Sequence, residues 1–466
     1  MAIALKKRGK ETFVVLERAS DVGGTWRDNV YPGCACDVPA MLYSFSFETQ
    51  TDWTRVYPSQ KEIWQYVRAC ARKYGLLPSI RFNCDVVDAA YDERDAVWTV
   101  RTRDDGSLRC RALVSATGPL NTWSIPEIPG IERFAGTIFH SANWDTSFDP
   151  RGKRVAAVGT GASAIQFVPE IAPAAEHLTV FQRTAPWIIP RGDRPISHRR
   201  RKRRRIPFYA WLERARIYWS LEIRALGLAV NPKLAPAVEA IALKHLARQV
   251  PDETLRRKLT PNFVLGCKRV LLSSNYYPSL CRSNVELVTE PIAKLTENAV
   301  VTRDGRAHAV DAVIFGTGFR PNGALAALDV RGRSGITLRD AWRGGQQAYL
   351  GTSVAGFPNF FTLIGPNTGL GHNSMILMME SQFAYVLDAL ELLRRTHARA
   401  VDVKPGVQAE FNRRLQRRMQ RTVWTTGCKS WYLDDDGVNR ALWPGFTFTY
   451  RWLTRRVAAE RYELIR

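Results

Sequence analysis

The chain has 466 residues, 45% of them hydrophobic, 11% aromatic and 24% charged. That composition excludes a disordered or low-complexity chain and leaves apolar material for two or three domains of roughly 100–200 residues each. Lys and Arg total 67 against 44 Asp and Glu, a formal charge of +23; it favours anionic partners without choosing among nucleic acid, acidic lipid and phosphate-bearing cofactors.

Residues 1–8 read as the end of a helix closed by Gly9, and residues 12–17 (TFVVLE) as a short buried strand. A loop rich in Gly and Asp covers residues 20–39. The spacing of Ile63, Tyr66, Val67 and Ala71 predicts a helix over 60–74. Residues 86–91 and 97–101 look like strands of a meander, and 112–116 (ALVSA) like a buried strand ending in Thr117-Gly118. The Pro-rich connection SIPEIPG, residues 124–130, marks a domain boundary. A strand at 154–158 (RVAAV), a Gly-rich turn, a helix and a second strand at 177–181 make a βαβ unit. Residues 197 to about 250 form a helical insertion. A strand at 312–315 with Gly316-Thr317-Gly318 repeats the style of the earlier Thr-Gly strand end, and a helix is predicted over 375–394.

Eight cysteines, Cys34, Cys36, Cys70, Cys84, Cys110, Cys267, Cys281 and Cys428, form no CxxC pair. Their scatter suggests neither a disulfide scaffold nor a metal site, so reduced thiols in a cytoplasmic enzyme are expected. The opening MAIALKKRGKETFVVLER has no long apolar stretch behind its charges, which argues against a signal peptide. No run of about 20 apolar residues predicts a spanning helix.

The clearest motif is Gly159-Thr160-Gly161-Ala162-Ser163-Ala164, followed by Ile165, between a strand and a helix. Glycines there permit a tight turn and close approach of backbone to a pyrophosphate, and the helix N-terminus supplies free amides. At the end of the second strand an acid would select NAD and an Arg NADP. This strand ends Gln182-Arg183-Thr184, so NADPH is expected. The strand at 12–17 instead ends in Glu17, an acid suited to the ribose of an adenine nucleotide such as FAD. Its Gly-rich loop would precede Met1. Without that loop's central strand, sheet groups would lie buried and unpaired at about 1–3 kcal/mol each. An N-terminally incomplete FAD domain, lacking its first strand and GxGxxG, is therefore expected.

Phe134-Ala135-Gly136-Thr137-Ile138-Phe139-His140-Ser141-Ala142-Asn143-Trp144-Asp145 fits the pattern FxGxxxHxxxW followed by Pro or Asp. With it come Gly23-Gly24-Thr25-Trp26, Tyr31-Pro32-Gly33-Cys34-Ala35-Cys36-Asp37, Ala116-Thr117-Gly118, Lys268-Arg269 and the tail from Trp424 to Phe448. In these motifs, across nearly its whole length, the chain resembles the class B flavoprotein monooxygenases, specifically the Baeyer–Villiger monooxygenases.

The resemblance implies an α/β fold of two Rossmann-like domains. Residues 1–130 and 321–466 would bind FAD, and residues 131–320, with the insertion at 197–250, would bind NADP. It implies an NADPH- and FAD-dependent insertion of one oxygen atom of O2 into a ketone, giving an ester or lactone, via a flavin peroxide. It implies Arg269 as the fixed catalytic cation and Asp37 as its partner. Lys268 would join Arg183 and Thr184 at the NADPH phosphate. Gly23, Gly24, Thr25, Trp26, Ala35, Cys36, Asp37 and Tyr43, with Val87 and Met375, would be FAD contacts. The fingerprint, carried by Phe134, Gly136, His140, Trp144 and Asp145, would couple domain motion to turnover, with His140 structural rather than an acid–base group. Trp431 would belong to a mobile loop over NADP.

Alternative readings are an N- or S-oxygenating flavin monooxygenase and a truncated, non-catalytic NADP-binding remnant. Arg199-Arg200-Arg201-Lys202-Arg203-Arg204-Arg205 precedes an apolar stripe of Phe208, Trp211, Leu212, Ala215 and Trp219. This run reads first as a solvated face of an insertion shaping substrate access, with peripheral membrane contact as the alternative. Nucleic acid is not expected, because aromatic-interleaved binding motifs are absent.

Overall fold

A five-stranded, all-parallel sheet holds the centre of the chain. Its spatial order is Val285–Val288, His177–Phe181, Arg154–Val158, Ala312–Phe315, Thr137–His140. The computed structural model describes residues 1–10, 12–104, 106–320 and 323–466. The sheet is covered on both faces, so its strands read as continuous apolar runs (RVAAV, AVIF) rather than alternating ones. Val155 and Ala157 point to one face, where Phe167, Val168 and Ile171 of helix Ala164–Ile171 pack. Ala156, Val313 and Phe315 point to the other, against Leu295 and Val300. Those two residues belong to a three-stranded antiparallel sheet, Ile292–Leu295, Ala299–Thr302 and Ala307–Ala309.

The two ends of the chain interleave. Phe360–Thr362 pairs in parallel with Leu113–Ser115, and Asp329–Arg331 with Val86–Asp92. The meander Val86–Asp92, Val97–Thr102, Ser107–Cys110 is antiparallel, as its alternation requires. Helix Gln60–Lys73 starts at a capping box between Ser59 and Glu62. Helix Met375–Thr396 is capped by Ser374 and closes on left-handed His397.

Two expectations are corrected. The strand over residues 12–17 forms only at Val15–Leu16, in a two-stranded parallel pair with Ile80–Arg81. A short ladder paired on one side is marginal, so its ends are not held as strand. The thiols are also not all reduced, since Cys267 and Cys428 form a disulfide across 161 residues. Spacing cannot reveal a bridge between segments that only the fold brings together. The other six cysteines are free.

The insertion is helical, with helices His198–Arg204, Pro207–Glu222 and Ala235–Gln249 and a π-helical turn at Leu226–Val230. Among the described residues no single helix is long and apolar enough to cross a membrane.

Candidate active site

Asp37 and Arg269 are 232 positions apart in sequence and meet in an ion pair. Arg269 donates from Nη2 to Asp37 Oδ2 at 2.6 Å and from Nε to the same oxygen at 3.2 Å. Burial alone would push the Asp37 carboxyl up. The guanidinium beside it outweighs this and holds it below the ordinary carboxylate range. Asp37 in turn raises Arg269 against the effect of burial. The hydroxyl of buried Tyr432 lies against the same guanidinium; burial raises that phenol, and Arg269 opposes the rise.

The loop bearing Asp37 is fixed from the parallel-sheet side. Gln166, on helix Ala164–Ile171, accepts from Tyr31 Oη at 3.0 Å and from the Ala35 amide at 3.3 Å. Its Nε2 donates to the Ala35 carbonyl at 3.0 Å. Gly33 has φ +75°, and a Cβ there would come within 2.7 Å of the Gln166 carbonyl oxygen. Arg191 donates to the Cys36 carbonyl at 3.1 Å and lies over the Tyr57 ring. Burial pushes the Cys34 thiol up to about 11 and raises Cys36 as well, so neither supplies a thiolate.

The Gly-rich turn leads from strand Arg154–Val158 into helix Ala164–Ile171, as the motif requires. Gly159 has φ +107°, and a Cβ would sit 2.6 Å from the Gly316 carbonyl oxygen. At Gly161 the nearest atom to a Cβ is 3.8 Å away, leaving the approach from outside open. Ile165 donates to Gly161, and Ser163 shares a hydrogen bond with Ser141. The amides of residues 160–164 (Thr160, Gly161, Ala162, Ser163 and Ala164) make no hydrogen bond among the described residues. Thr160 Oγ1 donates to the Thr184 carbonyl at 3.2 Å, holding the turn against the end of the second strand. Lys268 has its pKa lowered, first by burial and then by the nearby charge of Arg183. Neither cation makes an ion pair among the described residues. Two adjacent cations without an acid, beside free amides at a helix N-terminus, fit a dinucleotide carrying a 2′-phosphate.

Glu17 accepts from the Ala19 amide at 2.8 Å and pairs with Arg27 at 3.2 Å. Gly23 lies under Trp64, and Gly24, Thr25 and Trp26 open the turn Thr25–Asp28. Trp26 Nε1 donates to Tyr43 Oη at 2.9 Å. Met375 opens helix Met375–Thr396 and packs on the cluster that contains Trp424 and Tyr432. Val87 lies half-buried in the meander strand Val86–Asp92. Gly24, Gly118 and Gly318 all have positive φ and nothing within 4 Å of a Cβ. These open glycines, with Asp37 and Tyr43, fit the ribose and ring portions of a flavin dinucleotide.

In the fingerprint, Phe134 is buried beside the antiparallel sheet. A Cβ on Gly136 would meet the Asp311 carbonyl oxygen at 2.3 Å and the Phe134 ring at 2.6 Å, so only glycine fits. His140 Nδ1 accepts from the Ala142 amide at 3.0 Å, and its ring stacks on Trp123. Burial lowers its pKa to about 4, a shift opposed by the Gly318 backbone, so the ring is neutral near pH 7. Trp144 packs against Phe139 and Phe167, while half-buried Asp145 accepts from Ser147. Trp431 is exposed and its ring leans on Tyr432. Gln166 and Tyr432 escaped sequence reasoning. Gln166 carried a signal, as a polar residue inside the apolar helix AIQFVPEI; Tyr432 carried none.

Fold and site together define an α/β oxidoreductase that binds two dinucleotides. The flavin-binding monooxygenase-like family matches residues 8–196. A Baeyer–Villiger monooxygenase of Pseudomonas aeruginosa is 48% identical over 100% of this chain and 89% of its own length. Another, from Streptomyces coelicolor, is 46% identical over 100% and 90%. Among solved structures, an oxidized steroid monooxygenase bound to NADP superposes with TM-score 0.90 at 31% identity, covering 100% of this chain and 97% of the other. Cyclohexanone monooxygenase from Rhodococcus sp. Phi1 bound to NADP+ gives 0.89 at 28%, covering 100% and 96%. The chain belongs to the Baeyer–Villiger monooxygenases, the class B flavoprotein monooxygenases, and is a flavin-dependent oxidoreductase.

Proposed function

We propose that the chain converts a ketone, O2, NADPH and a proton into an ester or lactone, NADP+ and water, with FAD as resident cofactor. The observation that carries this reading is the Asp37–Arg269 pair. When bound, FAD supplies the redox chemistry between NADPH and O2. The protein's own part is electrostatic and positional. Arg269 cannot give up its proton and presents a fixed charge where negative charge develops on the carbonyl oxygen. Asp37 orients it, and Tyr432 closes one side with a buried ring. Arg183, Thr184 and Lys268 would hold the 2′-phosphate, and the free amides of residues 160–164 the pyrophosphate. Gly23, Gly24, Thr25, Trp26, Tyr43, Val87 and Met375 would line the flavin, with Glu17 toward its ribose.

Oxygenation of nitrogen or sulfur develops no oxyanion on the substrate, so the fixed cation favours the ketone reading. Residues 1–130 and 321–466 serve as the FAD-binding part and residues 131–320 as the NADP-binding part. The enzyme works in the cytoplasm, where NADPH is supplied. Supplying FAD to the purified protein and feeding a ketone and a thioether in parallel tests the reading. Flavin absorbance bands and ester from the ketone are expected. Sulfoxide without ester, or no flavin bands, would overturn it.

A further inference from the structure

Helix Pro207–Glu222 is apolar on the wrong side for a protein in water. Phe208, Trp211, Leu212, Trp219 and Ile223 recur at helical spacing and form one stripe, and all five are exposed. Phe208 is 70% exposed, Trp211 63% and Trp219 59%. The opposite face, with Ala210, Glu213 and Leu221, is buried. Its acid is turned inward: Glu213 pairs with Arg200 and with buried Arg204.

The stripe continues onto a second element. The Trp219 ring lies against Phe448, and one turn further along helix Thr447–Leu453 Trp452 is 73% exposed. Tyr218 fixes the two helices through a 3.0 Å hydrogen bond to Thr447. The apolar segments Pro207–Val230 and Pro232–Gln249 are bent by 116° at the break between them, and neither helix alone is long and apolar enough to cross a membrane.

Cations border the stripe. The residues lining a cleft of about 540 Å3 beside helix His198–Arg204 include Arg199, Arg203 and Arg216, together with Arg200 and the acid it pairs with, Glu213, so three of its four arginines are left without an ion pair among the described residues. Arg199, Lys202 and Arg203 are exposed and make no ion pair among the described residues.

We propose that this face is a docking surface for an anionic membrane. The stripe would enter the headgroup–acyl boundary, and the arginine cleft would take lipid phosphate. Indole and phenyl rings on one side of a helix with cations along its border are what interfacial binding requires. Charge selects the lipid over a second copy of this chain, because self-association through this face would bring two cationic borders together.

The test is co-sedimentation of the full chain with vesicles of pure phosphatidylcholine and of phosphatidylcholine with phosphatidylglycerol. Sedimentation reads binding without turnover, so the result is independent of the catalytic reading. Binding to the anionic vesicles alone, weakened by salt, is expected. Arg199→Ala/Lys202→Ala/Arg203→Ala should weaken it on the order of 100-fold. Phe208→Ala/Trp211→Ala/Trp219→Ala alters exposed side chains only and should abolish it. Inorganic phosphate should not displace the protein. Three results would overturn the proposal: no binding to anionic vesicles, equal binding by the aromatic variant, or a solution dimer that the aromatic variant dissociates.

Discussion

Arg269 reaches Asp37 with two donors on a single carboxylate oxygen, at 2.6 and 3.2 Å, and Gln166 ties the loop bearing Asp37 to helix Ala164–Ile171. One contact therefore connects the loop of residues 31–37 to the segment at Lys268-Arg269, and a change at either residue is felt by both. With its folded pKa lowered, Asp37 contributes stability fully present above its unfolded value of about 3.9 and lost as pH falls through the folded value. The difference in melting temperature between the protein and Asp37→Asn should stay constant from pH 8 to about pH 5. It should shrink only below about pH 4.

His140 should act in the opposite pH region from a charged catalytic histidine. Its folded pKa of about 4 lies below its unfolded value, so the unfolded chain binds the extra proton first. Stability should fall as pH drops from about 6.5 toward 4. His140→Asn should flatten that slope in melts recorded across the window, with fold retained.

Arg183→Ala and Lys268→Ala should each raise KM for NADPH about 10–100-fold, the loss expected for one charge-assisted hydrogen bond to phosphate. NADH, which lacks the 2′-phosphate, should be used equally by protein and variants. Initial-rate kinetics with both nucleotides check this.

Gly136→Ala should destabilise the protein by about 1–3 kcal/mol, the cost of overpacking. Its methyl would meet backbone at Asp311 and the Phe134 ring, neither of which yields cheaply. Denaturant melts measure the effect.

The parts that were legible in sequence are those whose signal is local. Strands Arg154–Val158 and His177–Phe181, the turn at Gly159 and the end at Arg183 all follow from neighbours in the chain. Asp37 and Arg269 were found by resemblance to a family; nothing in the spacing of residues 232 apart announces an ion pair. Tyr432 against Arg269 and the Cys267–Cys428 bridge were invisible for the same reason. The inverted helix Pro207–Glu222 was legible as an apolar stripe but not in its direction, because a stripe on a helix does not say which side the rest of the chain covers.

Reduction of the bridge, or Cys428→Ser, should lower stability by about 2–4 kcal/mol. It releases the segment leading to Trp431 and Tyr432 from the residue preceding Lys268. Thermal melts with and without reductant should converge in the variant.

The most direct measurement is product formation against NADPH consumption in Arg269→Ala, supplied with FAD, a ketone and O2. Ester should disappear while NADPH oxidation persists, with the electrons leaving to O2. Ester formed in proportion to NADPH by the variant would contradict the role given to the Asp37–Arg269 pair.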